Sequence, residues 1–467
     1  MGQAHLARGQ THTCSRCGES STNRQLGVAE IPRSALTRSA RIAGVPVSHA
    51  GRRIGVASKR LIGSDREADL ASAQMRTAEQ MFAVLGTLKG GAMKLGQALS
   101  VFEAALPEEF MAPYREQLTK LQDSAPPMSA AQVEAQMVAG LGAKWRERFA
   151  DFNDVATAAA SIGQVHRAVW HDGREVAVKI QYPGAADAIK SDLNQLSRFS
   201  RLFGLMAPGL DLKSLMTELK ERVVEELDYL HESKIARRFA AAYEGHPDFF
   251  VPHVVAAGKN VMITEWVESR PLSQIIASGT QEERDHFGRL YLRFLLSGPS
   301  IAGWMHADPH PGNFRVMADG RLAILDFGAA AELPEGLPLA MGRLLSVAMA
   351  GKQEQVTAGL RSEGFIRDNV DIDPQSLLDY LAPFTAPAAV QVFHHSRDWL
   401  RSQFERTADP RNPDWALAFK INLPPSYLLI HRTWLGSIGV LCQLGANFSV
   451  RDEFVRWIPD FTPPPLD

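Results

Sequence analysis

The chain has 467 residues, 45% hydrophobic and 22% charged, a composition that suits two folded lobes plus an extension and excludes bulk disorder. Fifty Lys and Arg against 52 Asp and Glu give a formal net charge of −2, which excludes a whole-molecule attraction to nucleic acid. Three cysteines are too few for a disulfide framework, so a reducing compartment is expected.

Residues 1–35 are polar, rich in Gly, Ser and Thr and without apolar period, and are expected to form a disordered leader. Residues 1–60 hold ten basic side chains, from Arg8 to Arg60, against Glu19 and Glu30 alone. Such an arm suits either solvent or anionic lipid headgroups. Cys14 and Cys17 form a C-x-x-C beside His12, but no second ligand pair completes a zinc site. The leader lacks the apolar core of a secretory signal, and Leu6 stands where myristoylation needs Ser or Thr.

From Ala71 to Lys120 apolar residues such as Met81, Leu85 and Leu88 recur at spacings of three or four, predicting a helical extension over 36–150 with a loop at Ala125-Pro126-Pro127. Over 151–270 the period becomes two. Gly163–Trp170 and Arg174–Gln181 flank an Asp172-Gly173 turn signal and predict a hairpin. A long amphipathic helix is then expected after Asp211, with Leu212, Leu215, Met216, Leu219, Val223, Leu227 and Leu230 on its buried stripe. The strand Val261–Trp266 closes this lobe. Residues 271–467 read as mainly helical, broken by a second hairpin in which Phe314–Val316 and Leu322–Leu325 flank Asp319-Gly320. The most apolar stretch, Tyr427 to Val440, is interrupted by His431 and Arg432, so no spanning helix is predicted.

Alternation along Glu175-Val176-Ala177-Val178-Lys179-Ile180 sets Lys179 opposite the apolar face. The hairpin before it is entered through small residues, Ala158-Ala159-Ala160-Ser161, whose backbone can approach a phosphate closely. Together they read as the roof of a kinase nucleotide site. Such a lysine needs a carboxylate from a following helix, where Glu225, Glu226, Asp228 and Glu232 are candidates. Glu265 and Val267, at the end of the third strand, are counted among the nucleotide contacts. The densest cluster is His306-Ala307-Asp308-Pro309-His310-Pro311-Gly312-Asn313, followed after a hairpin by Asp326-Phe327-Gly328. Asn313 and Asp326 match magnesium ligands, and Asp308 matches the base or orienter for an attacking hydroxyl or water. His306 and His310 lack a third ligand at zinc spacing and are read as backbone braces. Only a short stretch separates Gly328 from helical sequence near Pro338, no A-P-E follows, and Ala307 precedes Asp308 where protein kinases carry Arg. A peptide-docking platform is therefore not expected. The whole predicts an α+β, bilobal protein-kinase-like fold with an N-terminal helical extension and an enlarged helical C-lobe.

On these residues the chain resembles the UbiB/AarF family of atypical kinases from about Ile31 to Phe448. The resemblance rests on Lys94-Leu95-Gly96-Gln97, Leu121-Gln122-Asp123 with Pro126-Pro127, the alanine loop, V-A-V-K, Glu226-Leu227-Asp228 with Glu232, H-A-D-P-H-P-G-N and D-F-G. It implies that Lys94 and Gln97 dip into the site as a regulatory insert held by Glu226 and Asp228, that Glu232 pairs with Lys179, and that the alanine loop favours ADP. Residues two apart on a regular helix face different ways. Either the helix therefore starts irregularly at Glu226 and Asp228, or only one of them meets Lys94. Ser233 and Ile235 depart from the Ala and Asn usual in the family. By resemblance the cofactors are ATP or ADP with Mg2+, and the expected activity is a small-molecule kinase or ATPase in ubiquinone or other isoprenoid-lipid metabolism. The alternatives are a nucleotide-gated lipid-binding scaffold and a Ser/Thr protein kinase. Expected partners are an adenine nucleotide, a lipid or quinone-precursor small molecule, a membrane touched peripherally and a second copy of the chain. The expected location is cytoplasmic, or mitochondrial for a eukaryotic source.

Overall fold

The computed structural model describes residues 127–160, 162–185, 227–408 and 420–466, together with 187, 412, 414 and 417. Lys94, Gln97, Ser161 and Glu226 lie outside the described residues, as do the leader, the extension up to residue 126 and the predicted helical stretch 211–226.

The first described helix, α1 (Ala130–Leu141), starts at Ser129, whose side chain and that of Gln132 form a reciprocal capping box. It lies against a six-stranded sheet of β1 (Phe149–Phe152), β2 (Ala158–Ala160), β3 (Gly163–Trp170), β4 (Glu175–Gln181), β6 (Val254–Ala257) and β7 (Val261–Glu265). The order is β1-β3-β4-β7-β6, with β2 added to β3. Helix α1 and the first two residues of β1 belong to the residues read from sequence as extension, yet they pack into this lobe. Val133, Met137 and Trp145 join Trp170, Val176, Val178, Ile180, Val261 and Ile263 in one apolar core. Val176, Val178 and Ile180 are fully buried while Ala177 and Lys179 face the other way, as alternation requires. Gly173, at φ +88°, makes the turn between β3 and β4.

Two sequence expectations are corrected here. The alanines form no open loop: Ala158 pairs with Val165 and Ala160 with Gly163, making β2 a strand of a tight hairpin. The described helix α2 (Tyr229–Ala242) begins at Tyr229, because Asp228 caps it by accepting from Leu230 N at 3.0 Å and His231 N at 3.1 Å. Leu227 therefore lies in a turn, and Leu230 is 43% exposed instead of on a buried stripe. The face that α2 buries is Ile235, Ala236, Phe239 and Ala240.

The second lobe is built on α4 (Gln281–Ala302), a helix capped by Thr280 and Glu283 and ended by Gly303 in the left-handed region. Before it stand β5 (Phe249–Phe250), β8 (Ser269–Pro271) and α3 (Leu272–Ser278). After it come β9 (Trp304–His306), the predicted hairpin β10 (Phe314–Met317) and β11 (Leu322–Ile324), and β12 (Ala330–Glu332). The small sheet β5-β11-β10-β8 and the pair β12-β9 carry the loops of the site. Helices α5 (Leu339–Met349), α6 (Gln353–Ser362), α7 (Pro374–Thr385), α8 (Arg397–Ala408), α9 (Pro425–Leu444) and α10 (Val450–Trp457) complete the lobe. The predicted helical tract also contains a two-stranded sheet, β13 (Phe393–His394) against β14 (Asn447–Phe448), which sequence reading missed. No helix among the described residues is long and apolar enough to cross a membrane.

Gly163 illustrates how tightly the roof is built. A Cβ there would stand 2.1 Å from Ile180 O, one residue from Lys179. Gly163→Ala is expected to force β3 from β4 and cost about 1–3 kcal/mol, read as a lower denaturant midpoint at constant slope.

Candidate functional site

Lys179 comes from the middle of β4, where it pairs with Val165 on β3 and Met262 on β7. Its ammonium meets two acids from distant parts of the chain. Nζ lies 2.9 Å and 3.1 Å from the two carboxylate oxygens of Glu232 on α2, and 3.1 Å from Oδ2 of Asp326, just past β11. The Lys179 side chain is 16% exposed and that of Glu232 1%, whereas Asp326 keeps 26%. Glu232 is therefore the structural partner and Asp326 the one that solvent reaches.

Burial raises the Glu232 carboxyl, to about 7, against the opposing pull of the Lys179 ammonium. For Lys179, burial acts to lower the ammonium, but the Asp326 and Glu232 carboxylates outweigh it and hold the group well above its usual range. Glu232 must be ionised to hold the amine, so nucleotide affinity is expected to fall as pH drops through about 7. The stability linkage runs oppositely. A raised carboxyl stabilises the fold at pH below its unfolded value of 4.5, and that contribution is lost as pH rises through about 7. Calorimetric titration with MgADP between about pH 8 and pH 6 should show this limb, approaching a tenfold loss per unit below 7. Glu232→Gln should flatten it.

Asp308, Asn313 and Asp326 are brought together by hydrogen bonds among their own loops. His306 Nε2 lies 2.6 Å from Asp326 O, tying β9 to the D-F-G turn. Leu325 N donates to Asn313 O at 3.0 Å, which sets Asn313 beside Asp326 at the ends of β10 and β11. Asn313 Nδ2 donates to Asp308 O at 3.3 Å, and Asp308 Oδ1 accepts from His310 N at 3.2 Å. His310 Nδ1 accepts from Gly312 N at 3.1 Å, so both histidines engage the backbone. Asp326 Oδ1 accepts from Gly328 N at 2.9 Å. Phe327 is buried between Phe239 on α2 and His306, with ring centres at 4.8 and 5.6 Å, so the helix bearing Glu232 and the loop bearing Asp326 share one packed contact.

The remaining expected residues occupy different settings. Ala158 and Ala159 are exposed along β2, while Ala160 is half-buried. The Glu265 side chain turns to the edge of the sheet, accepting from His253 N at 3.0 Å and facing Arg174 at 3.7 Å. Its backbone N also donates to His253 O at 3.1 Å. Val267 is buried and its carbonyl accepts from Ser269 Oγ at 2.9 Å. Asp228 Oδ1 caps α2, which starts there, while Glu226 and Lys94, its expected neighbours, lie outside the described residues. Ser233 donates to Leu230 O at 2.9 Å and accepts from Arg237 at 3.1 Å, and Ile235 is buried, so both departures from the family pattern are accommodated within α2. Sequence reading missed Tyr291, whose hydroxyl donates to Pro309 O at 2.6 Å beneath the Asp308 loop, and Tyr229, whose ring centre is 5.0 Å from Lys179 Nζ. Neither belongs to a motif; each is recognisable only once the helices are placed.

Asp326 and Asn313 offer hard oxygen donors, and Asn313 spends its amide nitrogen on Asp308 O, leaving its oxygen for another partner. Among the described residues no group of three or more His, Cys, Asp or Glu is arranged to hold a metal ion. Two protein oxygens fit magnesium, which takes few protein ligands and fills its shell from phosphates and water.

A family model described as the ABC1 atypical kinase-like domain matches residues 120–359. The chain is 27% identical over 439 residues to the mitochondrial atypical kinase COQ8 of Schizosaccharomyces pombe, covering 92% of this chain and 70% of that one. It is 29% identical over 381 residues to the mitochondrial atypical kinase coq-8 of Caenorhabditis elegans, covering 78% of this chain and spanning 48%, about half, of that relative. A solved structure described as the complex of Rv3197 with erythromycin from Mycobacterium tuberculosis superposes with a TM-score of 0.66 at 41% identity, over 86% of this chain and all of that one.

Proposed function

The chain belongs to the ABC1 atypical kinase-like family, and on that premise we propose that it binds MgATP or MgADP at the junction of Lys179, Glu232 and Asp326. One observation carries this reading: a strand lysine and two acids, 53 and 147 residues away in sequence, meet within 3.1 Å. Glu232 holds Lys179 for the α and β phosphates, and Asp308 orients the attacking group. Asn313 and Asp326 would hold magnesium, which neutralises charge on the phosphate oxygens when bound. Lys94, Gln97, Glu226 and Asp228 retain the regulatory role implied by resemblance, and Ser161 its expected place among the nucleotide contacts.

The acceptor side is a small or lipid-linked molecule of ubiquinone or other isoprenoid metabolism, a reading supported by the UbiB/AarF resemblance and by relatives named COQ8. A peptide acceptor is disfavoured. After Gly328 the chain folds back as β12 against β9, with Leu333 N donating to Gly303 O at 2.9 Å, and α5 begins at Leu339. The erythromycin described in the mycobacterial structure favours a second reading, nucleotide-gated binding of a bulky apolar ligand without turnover.

Phosphate release by the full chain, with and without anionic liposomes and a phenolic headgroup mimic, separates these readings. Stimulated turnover supports the enzyme. MgATP binding with no turnover under any condition supports the second reading, and absence of nucleotide binding in millimolar magnesium sinks both.

A further inference from the structure

Lys179 has a third neighbour besides its two acids. The Tyr229 ring faces its ammonium at 5.0 Å, and Tyr229 is fully buried. Tyr229 opens α2 directly after the cap Asp228 and stands three residues before Glu232, so one helical turn brings the ring and the carboxylate to the same amine. The ring also belongs to a small apolar cluster with Ile162, Leu227 and Met262, separate from the main core of the lobe. Ile162 lies in the turn between β2 and β3, and Met262 is the strand partner of Lys179. Gln181 Nε2 donates to Leu227 O at 3.2 Å, fixing the chain ahead of the ring to the strand that carries the lysine.

We propose that Tyr229 is a positioning residue whose ring face holds the Lys179 ammonium when Asp326 turns from the lysine to the metal, an inference that rests on the nucleotide reading above. In the free site Glu232 and Asp326 share the ammonium. A divalent ion on Asp326 withdraws one of these anions and sets a like charge near the amine. The ring attracts a cation through its quadrupole without offering a lone pair that would compete for the metal. In the liganded site the α and β phosphates replace Asp326 at the amine and the ring face keeps the ammonium aimed at them, a task that exists only with nucleotide bound, and a difference between states is what changes affinity.

A buried aromatic at a helix start is more often plain packing, and substitution by leucine alone would not separate the two roles. A fluorinated phenylalanine series at position 229 does, because fluorine drains the negative ring face while scarcely changing its size. With the full chain titrated by MgADP, Tyr229→Phe is expected to stay within about threefold of the wild type, and trifluorination to weaken binding about tenfold from the Phe variant. The unfolding midpoint without nucleotide should stay nearly constant along the series. A flat affinity series in a chain whose wild type binds MgADP overturns the role of Tyr229 and leaves the nucleotide reading standing. Failure of the wild type to bind overturns both.

Discussion

Asp326→Asn is expected to lower nucleotide turnover by about 100-fold or more, the scale set by removing one electrostatic partner from a phosphoryl-transfer site, while leaving the fold intact. The fold survives because Gly328 N needs only an oxygen acceptor, which an asparagine side chain still supplies. With the amide oxygen used there, its nitrogen points at Lys179, donor against donor, where Asp326 Oδ2 now stands at 3.1 Å. The lysine should then settle entirely on Glu232. Loss of a full negative charge weakens magnesium capture, so MgATP affinity should fall more steeply than that of the metal-free nucleotide. Lys179→Met makes the informative comparison. It strands Glu232, 1% exposed, next to Asp326 with no cation, and a buried acid so placed takes up a proton instead of bearing the full cost of an unpaired charge. Both variants should be inactive, with a combined loss far short of the product of the two, as expected for groups that act as a unit. Unchanged phosphate release in Asp326→Asn would remove this residue from the chemistry.

Much of this site was legible in the sequence because phosphoryl transfer demands particular side chains at spacings that survive reading along one dimension. The alternation around Lys179, the two Asp-Gly hairpins and the pairing of Asp308 with Asn313 all depend on local geometry. Glu232 could be listed with three other acids but not singled out by residues alone, since choosing it requires knowing where α2 starts. The expected stripe does not run unbroken to its end: Leu227 and Leu230 fit a helical period, yet Asp228 caps a helix between them. Local hydrogen bonding by a short acidic side chain overrode the apolar period. Tyr229, Tyr291 and the β13–β14 pair escaped detection for a related reason. Their roles arise from partners far along the chain, such as Phe393 with Phe448, and two-residue strands carry no period to detect.

Arg293→Ala is expected to destabilise the C-lobe by about 3–5 kcal/mol, the cost of leaving a buried ion pair half made. Arg293 lies on α4 and is 16% exposed; its guanidinium meets Glu453 on α10 through Nε at 3.0 Å and Nη2 at 2.6 Å, and Asp248 through Nη1 at 2.6 Å. Both carboxylates would then face one another without a cation, and Glu453 has almost no access to water. Lysine should restore only part of the loss, since one point charge cannot reproduce a fork reaching two acids at once. The double change Arg293→Leu with Glu453→Met should be milder than Arg293→Ala alone, because it removes the two most buried charges and leaves only Asp248, which is 29% exposed. Chemical denaturation of the three variants measures this ordering. The consequence reaches the site as well. Asp248 O accepts from Leu322 N at 2.9 Å at the start of β11, the strand that delivers Asp326, and α4 runs directly into β9 and His306. Loosening Arg293 should therefore weaken MgADP binding in the still-folded protein, although no atom of Arg293 belongs to the proposed nucleotide site; affinity unchanged in a clearly destabilised variant would show that the anchor serves stability alone.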